Sequence, residues 1–204
     1  MENSNLETYD HYIKALMYMS LAITSDLCLV DLFKLIVMVT AKVTGVEICS
    51  LWLVDENENP PLIKLKATQS FDPDYVQDRV LRVHEGVVGY VLSTQRPYLK
   101  DNVLIDERFK EKELARKLGL VSMASIPLHG REGKVIGVLN SFTAKPYVFS
   151  ETDINMLTAV ASQAAVAIHN TDLIIKTRIV ERELQNRKQI DRAKEILMQR
   201  RDMK

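Results

Sequence analysis

Cysteine is scarce in this 204-residue chain, which contains only Cys28 and Cys49, far apart and outside any CxxC spacing. A zinc site or a dithiol centre needs closely spaced cysteines or a neighbouring group of histidines. The sequence therefore predicts two buried free thiols in a reducing compartment, with no disulfide framework and no metal ligands.

Long apolar runs are also missing, because charged residues such as Asp31, Lys34 and Lys42 interrupt every stretch that approaches a membrane span of about 20 residues. The first ten residues are polar and acidic, which is not the pattern of a signal peptide. Lys plus Arg and Asp plus Glu both number 27, so no net charge attracts the chain to nucleic acid or lipid. These absences favour a cytoplasmic protein without membrane contact.

Glycine is limited to seven residues, and two of them, Gly86 and Gly89, open an apolar helix-like stretch. The chain contains neither the GxxxxGK[ST] pattern of a phosphate-binding loop nor the GxGxxG pattern of a dinucleotide site. We therefore predict a steric role, in which Gly86 turns the chain off a strand and Gly89 allows close backbone contact. Because no Ser/His/Asp set or carboxylate pair stands out either, the sequence predicts no catalytic residues and no cofactor.

The residues that are present alternate between helical and strand-like patterns. Helices are predicted at 6–24, from a cap at Ser25 or Asp26 to about Val43, at 86–93, at 111–118 and from about Glu151. Strands are predicted at 48–55, 62–68, 79–83, 98–99, 121–129 and 134–142. Hairpin-linked strands with helices at both ends of the sequence predict an antiparallel sheet of the α+β class.

The C-terminal region from Glu151 to Lys204 contains no glycine or proline, which predicts one helix of up to roughly 80 Å. Its apolar stripe contains small residues that permit another helix to approach closely: Ile154, Leu157, Ala161, Ala164, Ile168 and Ile175. The far half of such a helix cannot be buried on its own domain. We expect a partner helix in a twofold dimer, with the N-terminal helix joining a four-helix bundle; the alternative is a solvated extension beyond about residue 180.

Several ordered motifs resemble those of GAF domains. They are GVVGYV (86–91), QRP (95–97), Asp101 with DERF (106–109), SIPL (125–128), KVIGVLN (134–140) and FSETD (149–153). The resemblance covers about residues 21–171 and implies an antiparallel sheet of about six strands with helices packed on one face. On the other face, loops and short helices are implied to enclose a small-molecule pocket. The implied organisation is an N-terminal helix at 1–24, a sensor domain at 25–171 and a helical extension at 172–204.

The resemblance also restricts the ligand. GAF domains that bind cyclic nucleotides carry Asn-Lys and later Phe-x-x-x-Asp-Glu, but Ser141 follows Asn140 here and Ile154 follows Asp153. We therefore predict no specific cyclic-nucleotide site, and we interpret Ser150 and Asp153 as a helix capping box. Bilin-binding and methionine-sulfoxide-reducing relatives need cysteines that this chain lacks.

Alternation along the strands gives candidates for pocket contacts, since alternate residues share one face of a sheet. The residues we expect near a pocket are Leu51, Leu53, Met123, Ser125 and Asn140. The alternative is that these side chains only fill the core.

Residues 184–200 resemble the opening helix of ANTAR domains, which are RNA-binding output modules of bacterial antiterminators. Leu184, Arg187, Ile190, Ala193-Lys194 and Ile196-Leu-Met198 match that pattern, while Glu195 replaces the small residue that usually follows the lysine. The two resemblances imply a dimeric cytoplasmic sensor that couples a small molecule or a partner to an RNA-binding output lying mostly beyond residue 204. The alternatives are a ligand-free dimerisation scaffold and, ranked last, a redox enzyme.

Overall fold

The computed structural model describes residues 28–70, 72 and 79–202, together with residues 13, 14 and 17. On the terminal helix, side chains are described as far as residue 190 and at residue 192. Residues 13, 14 and 17 are helical, but the rest of the predicted N-terminal helix lies outside the described residues. The predicted caps Ser25 and Asp26 lie outside them as well.

Six strands form one antiparallel sheet in the order β3-β2-β1-β6-β5-β4. They are β1 (Ile48–Asp55), β2 (Leu62–Thr68), β3 (Val80–Arg82), β4 (Tyr98–Lys100), β5 (Ser122–His129) and β6 (Val135–Thr143). The predicted α+β class and the predicted number of strands are confirmed. The Gly130–Gly133 segment joins β5 to β6 as the predicted tight turn, with a short 3₁₀ helix at Arg131–Gly133.

Four helices surround the sheet: α1 (Leu29–Thr44), α2 (Gly86–Thr94), α3 (Lys112–Leu118) and α4 (Glu151–Asp202). Gly45 and Gly119 end α1 and α3 with φ of 70° and 67°, which glycine adopts without the steric cost of a side chain. Within the described residues, none of these helices combines the length and the apolar character needed to cross a bilayer.

Apolar side chains form two clusters, one on each face of the sheet. The first packs α1 and α4 against the sheet and includes Leu32, Leu51, Ile126 and Leu157. The second packs α2, α3 and the loop at 101–111 against the opposite face. Because both faces of the central strands are covered, those strands lack the polar-apolar alternation of a half-solvated sheet.

The first 20 residues of α4 lie on the domain itself. Leu157, Ala161 and Ala164 are fully buried against the sheet and α1, so the predicted close approach of another helix is made within one chain. From Leu173 onward almost every side chain described on α4 is exposed. The projecting half of the predicted long helix is therefore confirmed as a helix that its own domain does not cover.

Candidate ligand-binding site

The glycine pair shapes the helix that covers the second face of the sheet. Gly86 has a φ of 61° where the chain turns from the strand region into α2. A Cβ at Gly89 would lie 2.5 Å from the backbone carbon of His84 and 2.8 Å from the Val83 oxygen. The predicted steric role of both glycines is confirmed, and it places α2 close to the preceding turn.

A cavity of about 100 Å³ lies between the sheet, α2 and the loop at 101–111. The sheet contributes Trp52, Met123, Asn140 and Phe142, while α2 contributes Val87 and Val88. Phe109 closes one side from the loop, and charged side chains of Glu85, Lys110 and Glu111 lie at the rim. The interior is thus apolar and aromatic, with one amide as its polar group.

Polar side chains occupy one row across the sheet beneath this cavity. In the strand register, Asn140 of β6 lies opposite Ser50 on one side and Ser125 on the other. The Ser125 hydroxyl donates to Asn140 Oδ1, and the Trp52 indole donates to Ser50 Oγ at 3.2 Å. Ser50, Ser125 and Asn140 are all buried, so these hydrogen bonds offset the cost of removing their polar groups from water. They also fix the orientation of the Asn140 amide toward the cavity.

An arginine contacts two of the residues that line the cavity, Trp52 and Glu111. The Arg79 guanidinium lies 5.3 Å from the centre of the Trp52 ring and forms an ion pair with Glu111. This geometry combines a cation–π contact with a charge pair at a partly buried position. A ligand that contacts Trp52 or Glu111 therefore lies close to the Arg79–Glu111 ion pair.

Asp106 holds the loop that carries Phe109. Its carboxylate accepts a hydrogen bond from the Tyr98 hydroxyl at 2.6 Å. It also accepts hydrogen bonds from the backbone N–H groups of Arg108 and Phe109, at 2.7 and 3.2 Å. The Lys100 ammonium lies 3.5 Å away. Burial of Asp106 opposes its charge, but these donors outweigh that effect and lower the pKa of the carboxyl group. Burial, followed by the hydrogen bond to Asp106, raises the pKa of Tyr98 to about 12.

Larger clefts open at the surface, with volumes of about 220, 260 and 490 Å³. They lie at the start of α4 beside Tyr147, along α2 beside Arg108, and between α2 and β4 beside Pro97. Compared with these clefts of the described residues, the smaller cavity is the better candidate because the sheet, α2 and the loop at 101–111 all line it, with a buried amide in its wall.

The predicted pocket residues divide between the two faces of the sheet. Met123 and Asn140 line the cavity, and Ser125 lies directly beside it through its hydrogen bond to Asn140. Leu51 and Leu53 do not line it, because they point to the other face and pack in the cluster with α1 and α4. Trp52, which lies between them on β1, lines the cavity and was not predicted; Val87, Val88, Phe109 and Phe142 were missed as well.

The capping box at the start of α4 is confirmed. Ser150 N–H donates to Asp153 Oδ2 at 2.8 Å, and Asp153 N–H donates to Ser150 Oγ at 3.2 Å. The same Asp153 oxygen accepts the Tyr147 hydroxyl at 2.8 Å, and this hydrogen bond raises the pKa of Tyr147. Asp153 therefore caps the N-terminus of α4 and does not line the cavity.

Neither cysteine lines the cavity. Cys49 is fully buried on the face of the sheet that α1 and α4 cover. Burial raises the pKa of its thiol to about 12, which suppresses thiolate chemistry. Cys28 is exposed at the start of α1, so the prediction that both thiols are buried is wrong for this residue. Its position at the helix cap, with Sγ 3.0 Å from Asp31 Oδ2, places it outside the core. No group of side chains in the described ranges has the composition of a metal site.

A GAF domain family model matches residues 29–169, which is more than half of the chain. Among solved structures, the GAF domain of an Acinetobacter phosphoenolpyruvate-protein phosphotransferase is 25% identical, with a TM-score of 0.66 over 81% of this chain and 97% of that chain. A free methionine-R-sulfoxide reductase from Neisseria meningitidis, in complex with its substrate, is 18% identical, with a TM-score of 0.65 over 80% of this chain and 91% of that one.

A domain of a putative two-component sensor histidine kinase from Sinorhizobium meliloti is also similar, at 18% identity and a TM-score of 0.60, covering 76% of this chain and 99% of that chain. At these identities the two latter similarities show a shared fold and nothing further. None of the curated proteins compared with the chain matches its sequence significantly.

Proposed function

This chain belongs to the GAF domain family, and on that premise we propose that it is a cytoplasmic, dimeric signal-sensing module. A small molecule binds in the cavity beneath α2 and shifts the position of α4, which carries the signal to an output. The proposal is supported by the family match and by the shared fold of the domain from the putative sensor histidine kinase described above.

One structural relationship carries this proposal: β5 and β6 contribute to both faces of the sheet. On β5, Met123 lines the cavity and the next residue, Ala124, packs in the cluster that seats α4. On β6, Asn140 and Leu139 have the same relationship. A ligand that moves β5 or β6 at the cavity therefore also moves the surface on which α4 packs. It shifts the equilibrium between two positions of α4 only by the difference in its binding free energy for the two.

The cavity also indicates the size of the ligand. Pockets for drug-sized ligands typically enclose about 300–1,000 Å³, and this one measures about 100 Å³. The ligand is accordingly a small molecule with an apolar body and a group that hydrogen-bonds to the Asn140 amide. A larger ligand requires wall residues such as Glu111 to move, which disturbs the ion pair of Glu111 with Arg79.

A thermal-shift screen of the full chain against small metabolites, together with mass spectrometry of whatever copurifies, tests the proposal. A ligand at 100 times its Kd stabilises the folded state by about 2.7 kcal/mol, which raises Tm by about 5–10 °C for a chain of this size. Asn140→Ala should lose that shift. Asn57→Ala, in an exposed turn, should keep it.

A second function is a ligand-free scaffold, which the small volume of the cavity favours. In that case no metabolite shifts Tm, no small molecule copurifies, and Asn140→Ala affects stability alone. These results would exclude sensing of a small molecule at this cavity.

We expect no redox catalysis, although a methionine-R-sulfoxide reductase shares the fold. The positions of the thiols support this expectation. Cys49 is buried between the sheet, α1 and α4, and Cys28 lies at the start of α1, so neither thiol lines the cavity. Turnover of free methionine sulfoxide by the protein with a thiol reductant would refute it.

The output is proposed to be RNA-binding, from the resemblance of residues 184–200 to the opening helix of ANTAR domains. The backbone of this segment is helical as part of α4. A protein in which a complete domain of this kind continues from residues 184–200 should bind RNA, and its affinity for RNA should change when the cavity is occupied. If a ligand that raises Tm leaves the affinity for RNA unchanged, the cavity is not coupled to RNA binding.

A further inference from the structure

The terminal helix carries a second apolar face, distinct from the one that packs on its own domain. Val166, Leu173 and Val180 recur every seven residues, and their side chains are 48%, 40% and 63% exposed. Ile168, two residues from Val166 and therefore about 200° around the helix, is buried against the domain. The exposed face begins where α4 still lies on the sheet and continues without a break onto the projecting half.

The residues between these three complete a regular pattern. Positions along the face are separated alternately by four and three residues, an average of 3.5, which is the repeat of a left-handed coiled coil. We define this face as the seam: Val166, Asn170, Leu173, Thr177, Val180 and Leu184. We propose that two copies of this chain pair along the seam with their α4 helices parallel and in register. This inference rests on the dimer of the proposed function and specifies its geometry.

Charge complementarity favours this arrangement. In a parallel, in-register pair, the residue that flanks the seam on one side faces the partner's residue five positions later. Lys176 then faces the partner's Glu181, and Glu183 faces the partner's Lys188, so both contacts join opposite charges. Each contact occurs twice in a twofold pair. An antiparallel pair aligns different positions and loses both matches.

These four side chains are exposed and available for such contacts. Lys176 Nζ lies 2.6 Å from Asp172 Oδ2 on its own helix, but the two side chains are 69% and 40% exposed. Such a solvent-exposed pair is worth little and does not prevent Lys176 from reaching across the seam.

Asn170 supplies the register. It is half-buried, and it lies on the seam between Val166 and Leu173. A polar amide at one such position favours the alignment in which the two amides meet, because a shift of one heptad replaces the contact between amides with a contact to the shorter Thr177 side chain. After Leu184 the next seam position is Arg187, while Ile190 lies off the line. The paired region therefore ends close to residue 184, where the segment resembling ANTAR domains begins.

Disulfide cross-linking of the full chain tests the geometry. Cys28→Ser leaves the buried Cys49 as the remaining thiol, and Thr177→Cys or Leu184→Cys is then introduced singly. Both variants should form an intermolecular disulfide under mild oxidation, seen as a covalent dimer on a non-reducing gel. Arg182→Cys, on the exposed side of the helix away from the seam, is the matched control and should stay unlinked.

The two positions are seven residues apart, so an antiparallel pair can bring at most one of them to its own counterpart. Light scattering of the unmodified chain comes first, because a monomer would refute the dimer of the proposed function and the seam with it. A dimer in which only one or neither seam cysteine links would overturn the parallel register and leave the dimer intact. Linking of Arg182→Cys in preference to the seam cysteines would place the contact on another face.

Discussion

The Tyr98 hydroxyl donates a 2.6 Å hydrogen bond to Asp106, and this contact ties the edge strand β4 to the loop that covers the cavity. The same carboxylate accepts two backbone N–H groups of that loop. The Asp106 side chain is 2% exposed, so it depends on these donors in place of water. Asp106 thereby joins the loop, and with it Phe109, to the edge of the sheet.

Replacement of this anchor should alter how stability depends on pH. The pKa of Asp106 is lowered in the folded state, so the unfolded state binds more protons between the two pKa values. The stabilisation is present above the ordinary carboxyl pKa and is lost as the pH falls through the folded value. Asp106→Asn should lower the free energy of unfolding by about 2 kcal/mol at neutral pH. It should also make the loss of stability below about pH 4 less steep.

Urea denaturation at a series of pH values measures both effects. Asp101→Asn, an exposed aspartate in the same loop, is the control and should match the unmodified protein. If the stability of Asp106→Asn falls at acidic pH as steeply as that of the unmodified protein, the charge of the carboxylate contributes nothing to stability.

Gly89→Ala should destabilise the fold even though alanine is the better helix former by about 1 kcal/mol. The added Cβ would lie 2.5 Å from a backbone carbon of His84, which cannot move without displacing α2. We expect a net loss of about 2 kcal/mol in the free energy of unfolding. Ser93→Ala, on the exposed side of the same helix, should change it by less than about 0.5 kcal/mol. A neutral or stabilising effect at Gly89 would contradict the close approach.

The capping box should behave as a coupled pair. Ser150→Ala and Asp153→Ala should each cost about 1 kcal/mol of folding stability, because each removes one reciprocal hydrogen bond, and both remove the bond from the Ser150 hydroxyl to Asp153 Oδ2. The double variant should therefore cost less than the sum of the two, as a thermal double-mutant cycle would measure. Thr152→Ala, an exposed residue in the same turn, is the control. Strict additivity would mean that the two side chains act independently.

Charge reversal provides a test of the seam that does not use cysteine. Lys176→Glu should place like charges opposite each other twice in the dimer and weaken association about tenfold, or about 1.4 kcal/mol. Adding Glu181→Lys should restore most of the affinity. Residues five apart do not touch on one helix, so recovery cannot arise within a chain. Analytical ultracentrifugation of the three proteins measures the effect, and a double variant as weak as the single one would argue against the parallel alignment.

Sequence patterns predicted the strands well because their ends carry strong turn residues, as at Gly130 and Gly133. They did not determine which face of β1 borders the cavity. Leu51, Trp52 and Leu53 are all buried, so polarity gives no contrast between the two faces of this strand. The faces are distinguished only by which helix packs on each, and that depends on contacts distant in the sequence. Met123 and Asn140 were predicted near the pocket, and the structure places them in the cavity wall.

The terminal helix illustrates the same limit. Its stripe from Leu157 to Ile168 was identified from spacing, but spacing alone does not say whether the covering surface belongs to the same chain. The structure assigns those residues to the domain core and leaves the Val166, Leu173 and Val180 face exposed.

The length of α4 has a mechanical consequence. Residues 172–202 extend about 45 Å past the domain at 1.5 Å per residue. A tilt of about 5° at the base of such a lever displaces its far end by about 4 Å, which is roughly three quarters of the 5.4 Å rise of one helical turn. A sub-ångström adjustment of the strands beneath it can thereby become a movement large enough to realign whatever is attached to its tip.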